Sequence, residues 1–107
     1  MTTFDEREKA YEKKFAHDQD LKFKAEARRN NMLGAWAAEK MGITGDGVAE
    51  YKKEVRRADL EEAGDEDVFR KIRADFDAKG VSVSDEELRA QMIEYMEKAV
   101  ADIEAEG

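Results

Sequence analysis

The chain is rich in side chains that could do chemistry, but their spacing supports little of it. It has 27 acids and 19 bases, a single histidine, His17, and no cysteine. Thiolate metal sites, disulfides and cysteine nucleophiles are excluded by composition. One histidine makes multi-histidine metal sites and a Ser–His relay improbable, and His17 reads as a solvated polar residue rather than a pH sensor. No acid is embedded in an apolar pattern that would raise its pKa for acid–base work. Ser82 and Ser84 fall in a helix-capping turn with no base nearby in sequence. Glu61, Glu62, Asp65, Glu66 and Asp67 lack the alternating ligands and central glycine of a calcium loop. Gly42-Ile43-Thr44-Gly45-Asp46-Gly47 has no Lys-Ser/Thr after it and no strand before it, so it is not a phosphate loop. The expectation is a protein that binds rather than one that catalyses.

Charge narrows what it could bind. The net charge is −8, and a field of that sign disfavours nucleic acid, whose binding needs clustered cations. One stretch runs the other way: residues 21–41 carry +3. Lys22, Lys24, Arg28 and Arg29, with Lys40, are the candidate anion contacts. The plainer reading is a solvated helix face paired with nearby acids. No apolar run approaches the roughly 20 residues that cross a bilayer. The opening MTTFDEREKAYEKK has no apolar centre of the kind an export signal needs. A soluble, intracellular protein is expected.

The elements that must position these side chains are helices. Proline is absent, and Gly42, Gly45, Gly47, Gly64 and Gly80 divide the chain into long helical stretches. Ser84 and Glu87 form a capping box, with Val83 and Leu88 placed as a hydrophobic staple. Gly80 can end the preceding helix in the left-handed conformation, with Val81 packing back on Phe76. Asp65, Glu66 and Asp67 are expected to cap the third helix. Apolar stripes follow: Leu21, Ala25, Met32, Leu33, Trp36, Ala37 and Met41; Val48, Tyr51, Val55 and Ala58; Val68, Phe69, Ile72 and Phe76; Leu88, Met92, Tyr95, Met96, Ala99, Val100 and Ile103. Gly34 among alanines suggests close helix approach, whereas Leu60 fits no stripe. Short connections favour antiparallel neighbours. The fold class is all-α: a small antiparallel four-helix bundle over residues 20–107, with helices near 20–41, 46–63, 65–79 and 85–104.

Residues 1–19 read differently. Phe4, Tyr11 and Phe15 lie on one helical face, among charges that alternate in sign and can pair across turns. The stripe breaks at His17, Asp18, Gln19 and Asp20. A peptide of this length is a marginal helix in water. It therefore either extends the first helix, with its aromatics against the bundle, or is a recognition arm that becomes helical in a partner's groove.

The opening MTTFDEREKAYEKKFAHD, the block FAHDQDLKFKAEARRNNMLGAWAAEKMG (Phe15 to Gly42) and the block EEAGDEDVFRKIRADFDAKGVSVSDEELR (Glu61 to Arg89) carry a resemblance over nearly the whole chain. It closely resembles an alphaproteobacterial family long catalogued as a domain of unknown function. That family includes the zeta subunit of the F-type ATP synthase, an inhibitor of ATP hydrolysis. The resemblance implies a four-helix bundle with an N-terminal inhibitory segment that enters the catalytic head between nucleotide-binding subunits and becomes helical there. Carried onto this chain, the segment is Met1 to about Asp18. Phe4, Arg7, Tyr11 and Phe15 are then its partner contacts, and Lys13 and Lys14 its charge contacts. The implied partners are the alpha, beta and gamma subunits of that head, and the implied location is cytoplasmic, peripheral to the inner membrane. Neither nucleic acid nor membrane insertion is expected. No cofactor is expected either, with room only for weak ATP or ADP binding. The alternatives from the residues alone are a nucleotide sensor, with Phe23 or Trp36 meeting the base, and a helix-docking adaptor.

Overall fold

The computed structural model describes residues 13–59 and 65–106. They form an antiparallel four-helix bundle: α1 (Gln19–Lys40), α2 (Asp46–Asp59), α3 (Glu66–Lys79) and α4 (Asp85–Glu106). A short helical stretch over residues 13–17 precedes α1, and no strand occurs among the described residues. The central element is α1, which packs on both α2 and α4; α3 packs on α2 and more lightly on α4.

Helix ends explain why the chain turns where it does. Asp18 takes an extended backbone (φ −144°), and its Oδ1 accepts from Leu21 N–H at 3.0 Å, which starts α1. At the other end Gly42 adopts φ 75°. Ile43 N–H then donates to Ala38 O at 2.9 Å and Gly42 N–H to Glu39 O at 3.1 Å, so orphan carbonyls are satisfied. The same motif closes α3: Gly80 has φ 69°, and Val81 N–H donates to Phe76 O at 2.9 Å. Ser84 Oγ accepts from Glu87 N–H at 3.1 Å and opens α4. The start of α3 departs from expectation. Asp65 makes no side-chain cap; its carboxylate is taken by Arg29 instead. Leu60 and Gly64 lie outside the described residues.

Two hydrophobic clusters fill the bundle. The first joins all four helices through Leu33, Ala37, Tyr51, Val55, Val68, Ile72, Phe76, Leu88 and Met92. In it Trp36 meets Phe76 edge to face at 5.7 Å. The close approach expected at Gly34 is real: a Cβ there would stand 3.1 Å from both Cα and Cγ of Lys52. The second cluster joins α1 and α4 through Ala25, Ile93, Met96, Ala99 and Val100, and also contains Phe15. Ile93, missing from the α4 stripe, is 2% exposed. It is buried because α4 is covered along a second side by α1 and the residues ahead of it. No helix among the described residues is long and apolar enough to cross a membrane.

Candidate interaction site

The arm meets the bundle at a built joint. Phe15 is only 7% exposed and packs with Ala25, Ile93, Met96, Ala99 and Val100. Beside it Lys14 Nζ lies 2.9 Å from Glu104 Oε1 of α4. The Phe15 carbonyl accepts from both Asp18 N–H and Gln19 Nε2, each at 3.3 Å. One residue thus ties the arm to α4 by its ring and to the start of α1 by its carbonyl, while Asp18 caps α1 from inside the same turn. Lys13 and His17 are exposed. Phe4, Arg7 and Tyr11 lie outside the described residues.

The basic stretch is divided by helical geometry, because successive residues on α1 point about 100° apart. Arg28 faces α4 and forms a two-pronged pair with Glu106, one prong at 2.6 Å. That hydrogen bonding holds the Glu106 carboxyl below its ordinary value. Arg29 turns inward and is fully buried. Its Nη1 donates to Asp65 Oδ1 at 2.8 Å, its Nε to Asn30 Oδ1 at 2.8 Å, and its Nη2 stands 3.6 Å from Asp59 Oδ1. Asn30 Nδ2 completes the network on Asp59 Oδ2 at 2.9 Å. Arg29 thereby holds the end of α2 and the residue ahead of α3 against α1, and has no surface left for an anion. Half-buried Glu26 lies one turn earlier. Its carboxyl is raised above the ordinary value first by burial and then by the negative charge of Asp59, against the pull of Arg29 and Lys22.

Lys22 and Lys24 form no ion pair among the described residues, and Phe23 beside them is 75% exposed. Phe23 borders an open cleft of about 340 Å³ with Glu26, Ala27, Asn30, Arg56 and Asp59. A neighbouring cleft of about 500 Å³ runs past Arg28, Arg56 and Asp102. Glu26 and Asp59 outnumber Arg56 in the first cleft, and in the second Arg28 is already committed to Glu106 and Asp102 stands opposite the remaining Arg56 charge. Among the described residues no three potential metal ligands cluster.

Comparison with known proteins decides the family. The family described as ATPase inhibitor subunit zeta matches residues 1–102, arm and bundle together. The chain belongs to that family. Membership places it among inhibitory, regulatory subunits. A solution NMR structure 45% identical to this zeta-family chain covers 81% of it and 99% of its own length, with a TM-score of 0.70. No curated protein matches.

Three features of this zeta-family chain escape sequence reasoning to different degrees. The Asp18 cap had a signal, an aspartate three residues before Leu21 at the first stripe position. Arg28 and Arg29 look alike in sequence, and which one is buried depends on the rotation of α1 within the bundle. Glu104 had no signal at all: it pairs with Lys14 across 90 positions.

Proposed function

We propose that this zeta-family chain inhibits ATP hydrolysis by the F-type ATP synthase through insertion of its N-terminal arm into a catalytic interface of the rotary head. The partner contacts fall to Phe4, Arg7, Tyr11 and Lys13, while Lys14 and Phe15 form the base that joins the arm to α4. The observation that carries the reading is the division of labour in the chain. The four helices and the base at Phe15 form the packed body, and the family match extends past that body to residue 1, so Phe4 and Tyr11 fall within it.

The mechanism is mechanical. Rotary catalysis opens and closes each interface in turn, and a helix wedged in one prevents its closure. Rotation in the synthesis direction reopens that interface and releases the arm, so inhibition is one-way. The bundle stays outside as a stop, its net acidity kept out of the head. Removing residues 1–12 tests this directly, because it leaves the Phe15 joint and all four helices in place. Hydrolysis by purified ATP synthase should then proceed uninhibited while the melting temperature of the protein is unchanged. Full inhibition by the truncated chain would refute the arm.

A further inference from the structure

We propose that the base of the arm stays seated on α4 while the residues ahead of it engage the partner, which makes Phe15 a positioning residue and not a partner contact. The inference rests on the arm reading above and goes beyond it: it says where the moving part ends. Phe15 covers Ala25, Ile93, Met96, Ala99 and Val100, every one of them 5% exposed or less. Lifting it out would bare both the ring and this floor. Exposing one phenylalanine weakens a partner that demands the release roughly 10- to 150-fold, and a partner that accepts the seated base avoids that loss.

The joint also argues against release. Asp18 N–H and Gln19 Nε2 both hold the Phe15 carbonyl, and on the other flank Lys14 reaches Glu104. Residues 13–17 are therefore tied to α1 by the carbonyl, to α4 by the ring and to α4 again by charge. A base held at three points fixes where the arm begins before it meets the head. Preorganisation of this kind reduces the ordering cost at binding.

Because the chain has no cysteine, the base can be locked cleanly. The double variant Lys14→Cys with Glu104→Cys, joined by a short bismaleimide, is added to purified ATP synthase and hydrolysis is followed. The locked protein should inhibit within about twofold of its unjoined form. Loss of inhibition on locking alone, with the unjoined form active, overturns the seated base and leaves the arm reading standing. If the unsubstituted chain itself does not inhibit, both fall. A second variant makes the result independent of the linker. The exchanged pair Lys14→Glu with Glu104→Lys should inhibit like the parent if the ion pair persists in the working state. An inactive exchange would place Lys14 on the partner and refute the proposal. Phe15→Ala should raise the concentration needed for half-inhibition several-fold, with Phe15→Leu recovering most of the loss; no change in either would also refute it.

Discussion

The two clusters of the bundle are built on different plans. The first draws on all four helices and is closed by residues of the bundle itself, from Leu33 on α1 to Met92 on α4. Among the described residues the second is shared by α1 and α4, and Phe15, from outside the four helices, completes it. Two helices crossing side by side leave an open flank, so a third element must cover it. The base of the arm, residues 13–17, is thus part of the fold. The contrast teaches that Phe15, three residues ahead of the cap on Asp18, already packs with the body.

The strongest way to probe the contrast is to damage each cluster in turn. Phe76 is fully buried at the centre of the first, and Phe76→Ala should cost about 4 kcal/mol in a urea melt. Inhibition per folded molecule should be retained. Phe15→Ala should cost less, about 2–3 kcal/mol, because its ring lies at an edge. If chemical denaturation detects no loss, the second cluster closes without the arm and the contrast collapses.

Smaller effects sharpen it. Gly34→Ala pushes a methyl to 3.1 Å from the Lys52 backbone and should cost about 1–2 kcal/mol. This strain falls between α1 and α2, and so should leave the Phe15 environment unaltered in ¹H–¹³C spectra. The least effect concerns Glu26, whose folded-state pKa is raised above 4.5 chiefly by burial. The folded state binds this proton more tightly than the unfolded one, so stability is lost as pH rises from about 4.5 through the raised value. Glu26→Gln should accordingly raise the melting temperature slightly at pH 7, and the difference should vanish below about pH 4.5, which a pair of thermal scans would show.

Much of the bundle was legible because its signals are local. Gly80 with Val81 and Phe76, and Ser84 with Glu87, act over a few residues, and the Val81 N–H bond to Phe76 O and the Ser84 Oγ half of the capping box are both formed. Asp65 shows where that logic stops. Its position before a helix reads as a cap, yet a buried guanidinium 36 residues away competes for the same oxygen. A charge-assisted bond inside the protein is stronger than a solvated cap.

Periodicity and capping chemistry, which depend only on neighbours three or four positions apart, were enough to specify an all-α chain and its turns at Gly42 and Gly80. Only the packed bundle could decide that Arg29 is buried while Arg28 is not, that Asp59 and Asp65 serve it, and that Phe15 has a seat on α4. Those outcomes depend on the rotation and separation of helices that are distant in sequence. They are set when apolar faces close against each other, since a buried charge must then find its partner across the structure.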